Sequence, residues 1–211
     1  MTDSANPGNP ESVNQTQMGT PLIRRAGEPD ADELARMLTG LTDLSLYFRF
    51  QTAIGRPPRP ALLLRLLCPT GASWVSTRGD TIVGHSMWAW AHGYDATAEL
   101  AVIISEDEQG RGLGVRMLAT AAAGAIAAGA TRFLFVVSPA NDRSLRMIRR
   151  RRPEATVERD GTLLNFVVPA RLTDQPEEST DVVDEQVRRL QCGEVPTAVE
   201  LRPMDDAVPA V

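Results

Sequence analysis

The stretch ELAVIISEDEQGRGLG, residues 99–114, constrains the fold more than any other part of the chain. Residues 100–104 are apolar and rich in β-branched side chains, which predicts a buried strand. A polar turn follows, and then come three alternate glycines and an alanine-rich segment, residues 115–129, that predicts a helix. Glycines at a helix start let backbone N–H groups converge, and the helix dipole favours an anion there. The stretch therefore predicts a phosphate-binding turn between a strand and a helix.

The remaining pattern predicts an α/β fold with a mixed sheet, in the order β-α-(α)-β-β-β-α-β-α-β-β. Residues 44–50 are ambiguous between a helix and a loop. The turns Arg78-Gly79-Asp80 and Asp160-Gly161 are typical of hairpins. We predict strands at 22–25, 72–77, 81–90, 98–104, 133–138, 155–159 and 162–168, and helices from 29 or 30 onward, at 61–67, at 115–128 and at 141–150.

Charge and composition divide the chain into three parts. Residues 1–20 are polar and are expected to be disordered. Residues 21–171 hold 19 Arg against 15 Asp and Glu and form the predicted folded domain. Residues 172–211 hold 3 Arg against 10 acidic residues, which predicts a mostly disordered acidic tail with a short helix at 181–191. The tail is expected either to keep the protein soluble or to compete with an anionic ligand for the domain.

Several classes of function are disfavoured. The mild positive charge of the domain is too small to indicate nucleic-acid binding, and no apolar run is long enough to span a membrane. With two histidines, and with Cys68 and Cys192 far apart, no metal site is expected. The absence of a disulfide framework and of a secretory leader predicts a cytoplasmic protein. We expect a monomer or a homodimer.

The glycine turn matches neither common nucleotide-binding motif. A dinucleotide-binding fingerprint needs G-x-G-x-x-G after the first strand, whereas Gly110, Gly112 and Gly114 follow the fourth predicted strand with a different spacing. A Walker loop needs a lysine, and the chain contains none. What remains is the pattern Q/R-x-x-G-x-G/A at residues 109–114.

With the preceding AVII strand, this pattern resembles the acyl-CoA pyrophosphate loop of the GNAT N-acetyltransferase superfamily. The resemblance covers residues 22–168 in element order and includes Asn141 at the start of a later helix. LTDLSLYFRF at 41–50 and AELAVIISEDEQGRGLG at 98–114 look like the corresponding segments of bacterial protein lysine acetyltransferases. The resemblance implies a GNAT-type, mostly antiparallel sheet, and acetyl-CoA as co-substrate without a metal.

The resemblance also implies which residues bind the cofactor. The backbone of Val102, Ile103 and Ile104 would pair with the pantetheine arm as if with another strand, which suits the amides of that arm. Asn141 would contact the cofactor through its side chain. The pyrophosphate loop would comprise Gln109, Gly110, Arg111, Gly112, Leu113, Gly114 and Val115.

Glu99 is the predicted catalytic residue. An amine acceptor arrives mostly protonated, so it must lose a proton before or during attack on the thioester. A partly buried carboxylate can accept that proton directly or through one water, and Glu99 shares a strand face with Ala101 and Ile103. A backbone N–H near Val102 is the natural donor to the oxyanion. The resemblance points to the same glutamate as general base.

Alternative interpretations of individual residues stay open. His85 is a second candidate base, although a lone strand histidine is more often part of a core. Cys68 is expected to be a small buried apolar residue. Many superfamily members have a tyrosine acid on the helix after Asn141; this chain has none there, and Ser144 is a weaker substitute. Residues 149–152 are either a solvated helix end or a site that steers phosphates or an acidic partner.

The sequence therefore predicts an acyltransferase that moves an acetyl or other short acyl group from acyl-CoA to an amine in one ternary complex. The subfamily resemblance favours a protein lysine as acceptor. A small-molecule amine, or a non-catalytic module that senses acyl-CoA, is the alternative.

Overall fold

The computed structural model describes residues 19–171, and these residues contain a seven-stranded sheet in the order β1-β2-β3-β4-β5-β7-β6. Neighbouring strands are antiparallel, except that β4 and β5 are parallel. The mixed, mostly antiparallel sheet and both hairpins are therefore confirmed. The strands are β1 (Leu22–Arg25), β2 (Ala72–Arg78), β3 (Thr81–Trp90), β4 (Thr97–Ile104), β5 (Arg132–Val137), β6 (Thr156–Asp160) and β7 (Leu163–Pro169).

The helices within the described residues are α1 (Ala31–Thr39), α2 (Asp43–Phe50), α3 (Pro60–Leu67), α4 (Leu113–Ala127) and α5 (Asp142–Arg151). The ambiguous segment at 44–50 is thus helical. Thr42 begins α2, because its Oγ1 accepts a hydrogen bond from the Ser45 N–H at 3.2 Å. Gln51 ends α2 in the left-handed region, with φ of 56°.

The two faces of the sheet carry separate cores. Along β4, alternate side chains point to opposite faces. Ile103 packs with residues of α1, α2 and α3, whereas Leu100 and Ile104 pack with residues of α4. The side chain of Glu99 therefore belongs to the face covered by the first three helices, and the glycine-rich turn belongs to the face covered by α4.

One glycine allows α4 to lie close to the sheet. A Cβ on Gly124 would stand 2.5 Å from the Trp74 ring, so any larger residue would push the helix outward. Trp74 and Trp88 are both buried beneath the helix. Trp90 packs edge-on against Trp88 at 5.2 Å between ring centroids but is itself exposed.

Two glutamates anchor the segment between β4 and α4. Glu106 accepts hydrogen bonds from the Thr42 N–H at 3.1 Å and from Thr42 Oγ1 at 2.8 Å, which joins this segment to the start of α2. Burial raises the pKa of Glu106, but the hydrogen bonds from Ser45 and Thr42 outweigh burial and hold it below its ordinary value.

Glu108 forms the second anchor. It is buried and makes a bidentate pair with Arg78 at the β2–β3 turn, with distances of 2.9 and 3.0 Å. The Arg111 guanidinium lies 3.8 Å from the same carboxylate. The hydrogen bonds from Arg78 lower the pKa of Glu108 against the opposing effect of burial.

The structure corrects one expectation about the core. Cys68 is exposed rather than buried, because it follows the last turn of α3 where the chain leaves the helix. The predicted tail at 172–211, its helix at 181–191, Cys192 and nearly all of the predicted N-terminal segment lie outside the described residues. Within 19–171, no helix is long and apolar enough to cross a membrane, and no group of three His, Cys, Asp or Glu side chains is placed to hold a metal.

The Glu108–Arg78 pair predicts an acid-sensitive anchor. Because the folded pKa of Glu108 is depressed, its contribution to stability is fully present above its ordinary pKa and is lost as the pH falls through the folded value. We expect Glu108→Gln to lower the free energy of unfolding at pH 7 by about 3 kcal/mol, since a buried ion pair loses one partner. Urea unfolding at pH 7 and pH 4 measures the gap to the wild type, which should narrow at pH 4.

Asp107→Asn is the matched control, because Asp107 is an exposed neighbour in the same segment. It should unfold like the wild type at both pH values. A gap between Glu108→Gln and the wild type that does not change with pH would contradict the assignment.

Candidate active site

The site is built where two parallel strands separate. β4 pairs with β5 from Thr97 to Glu99, opposite Arg132 to Leu134, and no further pairing between them occurs in the described chain. Both strands continue past this point, so they diverge and leave an opening of about 1030 Å³ between residues 100–104 and residues 135–137. We call this opening the groove; Glu99 stands at the point where it begins.

The strand register decides which backbone groups face the groove. The Ser105 N–H donates to the Val83 carbonyl and the Ala91 N–H donates to the Thr97 carbonyl, both at 2.9 Å. Odd-numbered residues of β4 therefore bond to β3, and even-numbered residues direct their backbone groups to the opposite edge. Val102 and Ile104 present backbone groups to the groove.

The register thus removes Ile103 from the three residues whose backbone was expected to pair with the pantetheine arm, and leaves Val102 and Ile104. Ile103 is paired opposite His85, so its backbone groups are directed to β3 and its side chain is buried in the core beneath α1 and α3. Ile104 also has a role inside the protein, because its carbonyl accepts a hydrogen bond from Gln109 Nε2 at 3.1 Å. These constraints follow from pairing along β3, which the sequence of β4 by itself does not reveal.

The glycine-rich turn closes one end of the groove. Gly110 and Gly112 have φ of 81° and 84°, a region that glycine adopts without strain. The N–H groups of residues 112–114 find no acceptor anywhere in residues 19–171. Together with the start of α4, they form a concave set of donors suited to an anion.

The other loop residues are distributed around this turn. Gly114 lies in the first turn of α4 with a normal backbone angle, and a Cβ there would meet Ile104 at an ordinary 3.5 Å. Leu113 is buried in the core, and Val115 lines the groove. Arg111 is exposed beside Glu108. Residues that are adjacent in this loop therefore have different surroundings: some face the groove and others pack α4 against the core. The sequence by itself did not distinguish the two groups.

The Gln109 side chain forms hydrogen bonds to three segments of the domain. Its Nε2 donates to the Ile104 carbonyl and to Glu106 at 3.0 Å, and its Oε1 accepts from Arg143 of α5 at 2.9 Å. The end of β4, the glycine turn and α5 are connected through one side chain. The structure thus gives Gln109 a positioning role inside the protein.

Asn141 begins α5 on the opposite wall of the groove. Its Oδ1 accepts a hydrogen bond from the Ser144 N–H at 3.1 Å and caps the helix. Capping leaves the Asn141 Nδ2 donors without a protein acceptor in the described residues, and Asn141 lines the groove. Ser144 lines it as well, and so do three arginines further along α5: Arg146, Arg150 and Arg151.

Glu99 lines the groove at the end opposite the glycine turn. The expected partial burial of this carboxylate is wrong: Glu99 is exposed. On this face of β4, Ile103 is buried, Ala101 is half-buried and Glu99 is exposed, so the cover provided by the first three helices decreases from Ile103 towards Glu99. The shared face of Glu99, Ala101 and Ile103 is consistent with the observed strand.

The alternative base, His85, is sealed in the core. It has no exposed surface, and its Nε2 lies 3.0 Å from the Leu66 carbonyl of α3. Burial, with a smaller contribution from the charge of Arg49, lowers the pKa of His85 to about 3. His85 is therefore neutral at physiological pH and has no access to the groove.

Arg49 lines the groove near Glu99 and was not singled out from the sequence. Burial lowers its pKa to about 10, against the attraction of the Glu99 charge, so the guanidinium is still charged at neutral pH. One sequence feature could have indicated Arg49: it stands three residues after Leu46, which is buried, on a short and mostly apolar helix. Helical spacing puts these two side chains on one face.

Comparison with known proteins gives two results. A family model described as "Acetyltransferase (GNAT) family" matches residues 43–152, which is about half of the chain. No curated protein gave a significant match.

Three solved structures illustrate the shared fold. The GNAT domain of S. lividans PAT is 22% identical, with a TM-score of 0.63 over 72% of this chain and 91% of that one. YncA of Salmonella typhimurium, a putative acetyltransferase solved with acetyl-CoA, is 18% identical, with a TM-score of 0.54 over 76% and 97% of the two chains. Diaminobutyrate acetyltransferase EctA of Paenibacillus lautus, in complex with L-2,4-diaminobutyric acid and coenzyme A, is 16% identical, with a TM-score of 0.55 over 76% and 99%.

These structural likenesses support the fold, and the family model covers the diverging strands, the glycine turn and the helix that Asn141 begins. The chain belongs to the GNAT acetyltransferase family and is an acyl-CoA-dependent N-acyltransferase.

Proposed function

We propose that the protein transfers an acetyl group from acetyl-CoA to the side-chain amine of a protein lysine, by direct attack with Glu99 as general base. One observation carries the proposal: a carboxylate and a cluster of free N–H donors stand at opposite ends of one groove. That is the arrangement needed to hold a phosphorylated thioester along a strand edge with its acyl group beside a base.

At the cofactor end, the pyrophosphate lies against residues 110–115. The N–H groups of residues 112–114 and the dipole of α4 offset its charge. The pantetheine amides pair with the backbone of Val102 and Ile104, and Asn141 donates from Nδ2. Arginines of α5 add positive charge along the same wall.

At the acceptor end, Glu99 takes the proton of the attacking ammonium directly or through one water. The neutral amine then attacks the thioester carbonyl, and the Val102 N–H, which faces the groove, stabilises the oxyanion. The tetrahedral intermediate collapses with cleavage of its C–S bond, and the second proton that the attacking nitrogen loses passes to the departing CoA thiolate, directly or through water, giving the amide and free CoA. No tyrosine is available on α5 to protonate that thiolate, and Ser144 is the hydroxyl that lines this wall.

Lysine is favoured as acceptor by two segments. The helix α2 and the strand β4 both resemble those of bacterial protein lysine acetyltransferases, and the PAT GNAT domain shares the fold. An exposed Glu99 at the mouth of the groove suits an acceptor carried on a protein surface.

Glu99→Gln tests the catalytic assignment. It removes the proton acceptor while keeping the size of the side chain, so kcat should fall by about 100-fold or more. The affinity for CoA should stay within about twofold, because the proposed cofactor contacts lie elsewhere in the groove. Steady-state kinetics with a lysine peptide and calorimetry with CoA measure the two quantities.

Glu158→Gln is the matched control, an exposed strand glutamate on β6 that should leave kcat unchanged. Equal kcat for Glu99→Gln and the wild type would show that another group accepts the proton. CoA binding without turnover by the wild type on any peptide or small amine would favour an acyl-CoA sensor.

Gly112→Ala tests the proposed pyrophosphate site. Alanine at φ of 84° is strained by about 1–2 kcal/mol, although a Cβ there would meet open space. Relaxation of the turn should disperse the N–H donors and raise the Kd for CoA roughly fivefold or more. Isothermal calorimetry with CoA gives the value.

Gly161→Ala controls for strain alone, because Gly161 has a positive φ of 56° and open surroundings in the β6–β7 turn. It should lose stability with no change in CoA affinity. If both variants bind CoA like the wild type, the pyrophosphate does not depend on this turn.

A further inference from the structure

The acceptor end of the groove contains a charged group that the mechanism above does not use. Arg49 is the seventh residue of α2, which packs across β4. Its Nη2 lies 3.2 Å from Met87 Sδ, and its guanidinium stands over the Phe50 ring at 5.0 Å from the centroid. These contacts hold the guanidinium against the sheet rather than in solvent.

The strand register places this guanidinium close to Glu99. Met87 is the β3 residue opposite Ala101, and Ala89 is the residue opposite Glu99. The guanidinium therefore lies beside Ala101. Ala101 is two residues from Glu99 along β4, a distance of roughly 7 Å in a strand. Both side chains line the same groove.

Within residues 19–171, Arg49 has no strong hydrogen-bond acceptor. Its Nε is fully buried with no acceptor, and Nη2 meets a thioether sulfur, which is a weak acceptor. No carboxylate of residues 19–171 forms a salt bridge with it, whereas Arg24, Arg56 and Arg78 each pair with an aspartate or glutamate.

An arginine whose buried Nε has no acceptor within residues 19–171 lowers the stability of the ligand-free protein. Arg49 is half-buried, its Nε is removed from water, and no salt bridge within residues 19–171 compensates for that loss of hydration. A ligand carboxylate could satisfy two N–H donors of the planar guanidinium at once, which is the geometry that arginine recognises best. Phe48 and Phe50 line the surrounding groove and would exclude water from such a pair.

We infer that Arg49 binds a carboxylate of the acceptor, so that the preferred substrate presents a carboxylate several bonds from the amine that Glu99 deprotonates. This inference rests on the proposed function, since it assumes that the amine reaches Glu99. The carboxylate has two sources: the acceptor's own, as in a free amino acid with a side-chain amine, or an acidic residue next to the target lysine in a protein.

Two pairs of test acceptors show whether the carboxylate belongs to the acceptor amino acid itself or to an acidic residue next to the lysine. The first pair is Nα-acetyl-lysine and Nα-acetyl-lysinamide, which differ by one carboxylate. The second pair is an end-blocked lysine peptide with glutamate after the lysine and the same peptide with glutamine. The kcat/KM of the wild type should favour the carboxylate member of at least one pair by about tenfold or more, equivalent to about 1.4 kcal/mol.

Arg49→Met removes the guanidinium but keeps an unbranched apolar side chain against Met87 and Phe50. The preference should fall to about one, chiefly through a higher KM for the carboxylate acceptor, while the Kd for CoA stays unchanged. Arg65→Met, at an exposed position of α3, is the control and should keep the preference.

Arg49→Lys provides a second test if Arg49→Met fails to fold. Lysine keeps the charge but lacks the bidentate fork, so part of the preference should remain. Calorimetry with the four acceptors on CoA-loaded protein measures the same preference as a ratio of Kd values, independently of turnover.

The outcomes distinguish the inference from the function on which it rests. Preferential binding of a carboxylate acceptor without acetyl transfer would support the Arg49 site and overturn the proposed function. Acetyl transfer to acid and amide acceptors alike, absence of acceptor binding, or an unchanged preference in Arg49→Met would overturn the Arg49 site.

Discussion

The parting of β4 from β5 after Glu99 is the constraint on which the rest of the site depends. A parallel pair that stays together would satisfy its own backbone groups along its whole length. Here β4 continues to Ile104 with the groups of its even-numbered residues unpaired by β5. An unpaired strand edge inside a domain is unfavourable unless water or a ligand occupies it. The groove and the unpaired backbone groups along it both follow from this divergence.

The ends of the groove are held by polar contacts between distant segments. Glu106 joins the glycine turn to α2, Glu108 joins it to the β2–β3 turn, and Gln109 joins it to α5. Such contacts restrict the turn before any ligand binds, which reduces the ordering cost of binding. The segment that looks like a polar, acidic linker in the sequence thus supports the glycine turn, which is the anion site that we propose.

In the function that we propose, the two ends of the groove, one for the cofactor and one for the acceptor, differ in their chemistry. The cofactor end relies on backbone donors and helix geometry, which tolerate many side chains around them. The acceptor end relies on individual side chains, Glu99 and Arg49, whose opposite charges lie on one face of the sheet. On this proposal, specificity for the acceptor depends on few residues, and α2, which lies outside the glycine motif, supplies one of them.

Local pattern in the sequence was sufficient for the strands, for the helices other than α2, for the hairpins and for the glycine turn, because each depends on short-range periodicity or backbone freedom. It also singled out Glu99 and Asn141, which both line the groove. Tertiary structure decided the exposure of Glu99, the direction of Ile103 toward β3, the burial of His85 and the placement of Arg49, because each depends on which distant strand or helix packs against the residue. The sequence specifies the type of each side chain, whereas the packing of distant segments determines how exposed it is to water and which groups it contacts.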